Sequence, residues 1–76
     1  MVDEPEEDGM ELREVKVGVL HWWQFHEEDR LLVRVRFVGK DFVSLQIVAG
    51  TAEQVIKSGY GVGESVNTTP NALRPV

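Results

Sequence analysis

The chain has 76 residues, of which 42% are hydrophobic, and a formal net charge of −5. This is enough apolar material for one small globular domain and too little chain for two. The sequence has no cysteine, so disulfides and cysteine-based metal sites are excluded.

Acidic residues are concentrated at the start of the chain. Residues 1–14 hold seven carboxylates and one arginine, a net charge of −6, whereas residues 15–76 hold six carboxylates and seven basic side chains, a net charge of +1. Because the first residues have almost nothing to bury, we expect a disordered acidic tail over residues 1–11 and a folded domain over residues 12–76. The tail is either a solubilising leader or a segment that covers a basic or aromatic surface or imitates a polyanion.

The sequence gives no indication of secretion or membrane insertion. Its start is acidic where a secretory signal would be basic and then apolar. It also contains no apolar run near the roughly 18–20 residues needed to span a bilayer. We therefore expect a cytoplasmic protein that does not bind membranes.

Apolar and polar residues alternate from Leu12 to Trp23, which predicts a long β-strand with one buried face. The residues predicted to face the core are Val15, Val17, Val19, His21 and Trp23. Leu20 and Trp22 then lie on the opposite face of this strand. A polar loop is predicted from Gln24 to Arg30.

A β-hairpin is predicted over residues 31–49. Two alternating segments, 31–38 and 42–49, are rich in β-branched and aromatic residues and flank a short turn that contains Gly39. The residues predicted to be buried on one side of this hairpin are Val33, Val35, Phe37, Val43, Leu45 and Ile47.

One short helix is predicted over residues 52–58. Thr51, followed three residues later by a glutamine, matches a helix-capping pattern, and Gly59 is a favourable helix end. Such a short helix is not stable alone, so we expect Val55 and Ile56 to dock on the sheet.

The last thirteen residues, Glu64–Val76, predict a strand over residues 64–68, a tight helical turn over 70–73 and an extended end over 74–76. This order resembles the end of SH3-like small β-barrels, including Tudor-type domains. The resemblance implies a mainly β fold, a small SH3-like barrel of four to five strands with one short helix. The helix before it departs from the plain SH3 pattern and leaves an OB-like or other α+β arrangement open. No function is carried over, because fold alone does not assign one.

The residue types that could carry chemistry are few. His21 and His26 are the two imidazoles, and on a strand they would point to opposite faces, which disfavours a shared metal site. The carboxylates at 27–29 are predicted to lie in a solvated loop, where they stay ionised and do not form an acid–base pair. The glycines at 59–63 lack the preceding strand and following helix of phosphate-binding loops. The sequence therefore predicts no enzyme activity, no metal site and no cofactor.

The residues predicted to face outward suit binding to another protein. They are Trp22, Phe25, Leu32, Arg34 and Arg36, and Trp and Arg are enriched at interaction hot spots. The function predicted is a non-enzymatic protein-binding module or adaptor, although an arginine can instead cover Trp22 within the domain. Self-association through strand edges is an alternative. A nucleic-acid-binding barrel is a weaker one, because the body carries a charge of only +1.

Overall fold

The computed structural model describes residues 9–76. Five strands and one helix follow one another in the order β1 (Leu20–Gln24), β2 (Arg30–Val38), β3 (Val43–Ala49), α1 (Ala52–Ser58), β4 (Ser65–Thr68) and β5 (Leu73–Arg74). Two short 3₁₀ turns, Leu12–Glu14 and Pro70–Ala72, precede β1 and β5. The prediction of a mainly β domain with up to five strands and one short helix is confirmed.

All five strands form one antiparallel sheet in the order β4-β3-β2-β1-β5. The three central strands, β1 to β3, are neighbours both in sequence and in the sheet. The last strand, β5, returns to pair with β1. Strands β4 and β5 are the two edges, so within residues 9–76 the sheet is open and not a closed barrel.

One face of the sheet, called here the inner face, carries the core. Its strand residues alternate with outward ones along β1, β2 and β3, as period-two patterning requires. The buried apolar residues are Val15, Trp23, Leu31, Val33, Val35, Val43, Leu45, Ile47, Val66 and Leu73. Met10, Leu12, Phe25, Val55 and Ala72 pack against this cluster from the surrounding segments. The sequence prediction is correct for the hairpin's core except at one position.

That exception is Phe37, which is 54% exposed. Val35 pairs with Leu45, but Phe37 pairs with Ser44, so β2 contains one more residue than β3 at this point. The extra residue is Arg36, and such a β-bulge reverses the alternation beyond it. Val38 therefore packs against the core, while the Phe37 ring lies on the outside, 5.8 Å from the Phe42 ring.

The first strand is shorter than predicted, and Val17 and Val19 are 62% and 43% exposed rather than buried. A turn precedes β1, in which the amide of Val19 donates to the carbonyl of Lys16. Gly18 occupies the left-handed region of this turn with φ +91°. The turn interrupts the period-two geometry, so the alternation in sequence does not correspond to one continuous strand.

The helix is confirmed over Ala52–Ser58, with the Thr51 hydroxyl accepting from the amide of Gln54 at 3.2 Å and Gly59 ending it at φ 81°. Only Val55 packs against the core, whereas Ile56 is 78% exposed. Neighbouring residues on a helix point about 100° apart. A short helix can therefore turn only one of Val55 and Ile56 toward the sheet. The prediction that both residues dock on the sheet is wrong for Ile56.

The register at the bulge can be tested with a matched pair of substitutions. Leu45→Ala should lower the free energy of unfolding by about 2–5 kcal/mol, because Leu45 is fully buried. Phe37→Ala should cost no more than about 1.5 kcal/mol, roughly the value of its contact with Phe42. Urea denaturation of both variants measures this. Equal losses would place Phe37 in the core and contradict the bulge.

Candidate binding face

The face of the sheet opposite the core is called here the outer face, and Trp22 lies at its centre. In the register of the sheet, Trp22 of β1 stands between Leu32 of β2 and Arg74 of β5. Trp22 points away from the core and Trp23 into it, as the alternation predicts. Leu32 is flanked along β2 by Arg30 and Arg34, which share its face. The outer face therefore combines an apolar pair with arginines on both sides.

Arg30 covers the Trp22 ring, with Cζ 4.3 Å from the ring centroid. This is a cation–π contact, and it leaves Trp22 half-buried within the domain. The sequence interpretation had placed Arg30 in the loop, because its alternating pattern was taken to begin one residue later. The contact confirms that an arginine covers Trp22 while leaving the guanidinium itself at the surface.

The other three arginines of the outer face are held by uncharged acceptors. The Nη1 atom of Arg34 donates to the Gly18 carbonyl at 3.1 Å, and that of Arg36 to Oε1 of Gln46 at 3.1 Å. Arg74 donates through Nη1 to the Asn71 carbonyl at 2.8 Å. Within residues 9–76, none of these guanidinium groups forms an ion pair with a carboxylate. The folded part of the chain therefore holds these guanidinium groups in place but does not neutralise their positive charge.

A groove of about 590 Å³ opens beside Trp22, between the outer face and the start of the helix. Its lining residues are Trp22, Glu28, Arg30, Leu32, Ala49, Gly50, Thr51 and Gln54. The exposed surface of the groove is mostly apolar, and Glu28 and Arg30 add one carboxylate and one guanidinium to its lining. Such a groove suits an apolar side chain that carries or neighbours a charged group.

Gln54 fixes one wall of this groove. Its Oε1 accepts from the backbone amide of Arg30 at 2.7 Å, and its Nε2 donates to Oδ1 of Asp29 at 2.9 Å. The hydrogen bond from Gln54 is the main reason that the pKa of Asp29 lies below its ordinary value, and the charge of Lys57 adds to it. The helix is thereby attached to the β1–β2 loop, and the backbone that carries Arg30 is held in place.

Phe25 is separate from the other predicted binding residues. It follows β1 with the same parity as Trp23, so its ring packs on the core side, 5.2 Å from the Trp23 ring. There it lines a second groove, of about 600 Å³, together with Tyr60 and Lys57. The structure brings together Trp22, Leu32, Arg34 and Arg36, and places Phe25 elsewhere.

Two arginines of the outer face were missed by the sequence analysis. Arg30 could have been found by extending the alternation of β2 by one residue. Arg74 had no local signal, because it reaches Trp22 only through the pairing of the last strand with the first.

The histidines do not form a metal site with the acidic loop. His21 is buried in the inner face and only 6% exposed, whereas His26 lies in the solvent-exposed loop. Within residues 9–76, no cluster of three or more His, Asp or Glu side chains is arranged to hold a metal ion. In the same part of the chain, no helix has the length and apolar character to cross a membrane.

Neither ring nitrogen of His21 has a hydrogen-bond partner of good geometry among the described residues. Burial lowers the pKa of His21 below its ordinary value, and the backbone of Arg74 opposes part of this shift. The folded domain therefore favours the neutral imidazole, which costs less to remove from water than the charged form.

Comparisons of the chain with protein-family models, with curated proteins and with solved structures found no significant match. The arrangement of residues on the outer face is therefore the basis for assigning a function.

The burial of His21 makes stability depend on pH. Below the unfolded pKa of about 6.5, the unfolded chain takes up a proton that the folded domain binds more weakly. Above that pH, the contribution of His21 to the free energy of unfolding should be fully present. As the pH falls from there toward the lower pKa of His21 in the folded domain, the free energy of unfolding should decrease by at most about 1.4 kcal/mol per pH unit. Urea denaturation between about pH 7.5 and 5 measures the slope.

Two variants identify the source of this slope. His21→Leu should remove it, while His26→Gln should retain it, because His26 is exposed. A slope that survives in His21→Leu would assign the pH dependence to another group.

Proposed function

We propose that the domain is a non-enzymatic protein-binding module whose outer face binds a segment of a partner protein. The observation that carries this proposal is the set of four arginines on the face that holds the Trp22–Leu32 pair, none of them paired with a carboxylate of residues 9–76. Placing four like charges on one small sheet is unfavourable for folding alone. A partner with negative charge would remove that cost.

The chemistry of the face favours a partner segment that contains acidic and apolar side chains. A guanidinium binds a carboxylate through two parallel hydrogen bonds, and its orientation by a neutral acceptor reduces the entropy lost on binding. Arg34 and Arg36 are oriented in this way by Gly18 and Gln46. An apolar side chain of the partner would fill the groove beside Trp22, and tryptophan is one of the residues enriched at binding hot spots.

The alternatives have less support from the contacts. Self-assembly through strand edges would use β4 and β5, which have four and two residues, and short edges offer few free backbone groups. Nucleic acid would also suit a face of arginines, but residues 9–76 carry eight acidic and eight basic side chains. Phosphate binding of useful strength needs a larger excess of positive charge.

The SH3-like fold is part of this proposal. Strand β4, the turn Pro70–Ala72 and strand β5 follow one another in the order that the resemblance implies. The open sheet is the feature that differs from a closed barrel. The binding function depends on the outer face and would hold for either arrangement.

Trp22→Ala tests the proposed function. Proteins captured by the wild-type domain from its native host should be purified and titrated directly by calorimetry. Trp22→Ala should weaken that binding by at least about 2 kcal/mol, or about 30-fold, as hot-spot aromatic residues do. Ile56→Ala is the matched control, because Ile56 is exposed but lines neither groove.

Charge-reversal variants separate binding from folding. Arg36→Glu should weaken binding more at low salt than at high salt, whereas Lys40→Glu, with the same charge change at the hairpin turn, should have little effect. Unchanged affinity in both Trp22→Ala and Arg36→Glu would contradict the proposal. Binding that disappears after nuclease treatment would assign the face to nucleic acid instead.

A further inference from the structure

The described chain begins at one edge of the sheet, beside the turn that leads into β5. The backbone of Gly9 lies so close to Asn71 that a Cβ at Gly9 would overlap the Asn71 carbonyl. That same carbonyl accepts from Nη1 of Arg74 at 2.8 Å. Met10, the next residue, packs against the core on the inner side of the sheet. The eight residues before Gly9 therefore start at this edge, near the guanidinium of Arg74, whose strand position shares a face with Trp22.

Residues 1–8 are long enough to cross that face. An extended chain spans about 3.3 Å per residue, so eight residues reach about 26 Å. Adjacent strands lie about 4.8 Å apart, which puts β2 about 10 Å from β5. A segment that starts at Arg74 can therefore pass Trp22 and reach the arginines on β2 with residues to spare.

The charges of the segment and the face are complementary. Residues 1–8 contain five acidic side chains and no basic ones, namely Asp3, Glu4, Glu6, Glu7 and Asp8. The outer face presents Arg30, Arg34, Arg36 and Arg74, and no acidic residue lies on the strand positions that share this face.

We propose that the acidic segment of residues 1–8 docks in cis on the outer face and competes there with the partner protein. The competition rests on the proposed function, while the docking itself does not. A segment tethered this closely has an effective concentration in the millimolar range, so even weak contacts to the face occupy it for a substantial fraction of the time. The segment then acts as a built-in competitor that any acidic partner must displace.

Spin labelling tests the docking directly. The natural chain has no cysteine, so Val2→Cys gives a single attachment site for a nitroxide. The label should broaden the amide signals of Trp22, Leu32 and Arg34 in NMR spectra of the full chain. Amides at the hairpin turn near Lys40 serve as the internal control and should be less affected. Raising the salt to about 0.5 M should abolish the broadening, because the Debye length falls to about 4 Å.

The source of the broadening is established by mixing. Chains that carry the nitroxide but no ¹⁵N are added to ¹⁵N-labelled chains that carry no nitroxide. If docking is in cis, the outer-face signals of the ¹⁵N-labelled chains should stay sharp. Broadening in the mixture would show that the segment binds a second copy, and would overturn the proposal. Equal weak broadening over the whole domain, or none, would also overturn it.

The competition is measured with an octaglutamate peptide as the probe. A chain lacking residues 1–8 should bind it at least about threefold more tightly than the full chain at low salt, and the difference should vanish at about 0.5 M salt. Replacing the five acids by Asn or Gln should reproduce the effect of the deletion.

The two proposals can fail separately. If the outer-face signals are unaffected by the label while Trp22→Ala still loses the captured partner, cis docking is wrong and the binding module stands. If the label broadens those signals but Trp22→Ala binds every captured partner normally, the docking stands and the proposed function is wrong.

Discussion

The structure depends on the burial of one face of β2. This central strand places Leu31, Val33 and Val35 in the core with no exposed surface, and both neighbouring strands align on it. A chain of this length has one layer of sheet and little else to cover it, so only one face can be buried. The segment before β1, the helix and the turn before β5 all pack on that side. The other face is left to solvent.

The bulge at Arg36 shapes both faces. It reverses the alternation at the end of β2, so Val38 packs against the core in place of Phe37. Arg36 itself is the inserted residue, and its guanidinium reaches back to Gln46 on the outer face. Bulges commonly redirect a side chain at the border of a functional surface. Here the irregularity adds a third arginine to those contributed by regular pairing on β2.

Charge is distributed unevenly over the folded domain. Residues 9–76 are neutral as a whole, with eight charges of each sign, but the arginines are concentrated on one face. The carboxylates near the helix are used elsewhere, since Asp29 and Glu53 both contact Lys57. Residues 1–8 hold five further acids and no basic residue, so the net charge of the whole chain conceals the concentration of arginines on the outer face.

The sequence by itself determined the helix, the two hairpin strands and most of the hairpin's buried face, because these follow from local periodicity and capping. It also identified Trp22, Leu32, Arg34 and Arg36 as outward residues, and these do share one face. Only the tertiary structure decided the rest. Val17 and Val19 follow a strand pattern but lie at a turn around Gly18, and Phe37 is moved outward by a bulge whose register depends on the partner strand. Arg74 joins Trp22 through the pairing of the two ends of the chain, and such a contact between residues far apart in sequence leaves no local pattern to detect.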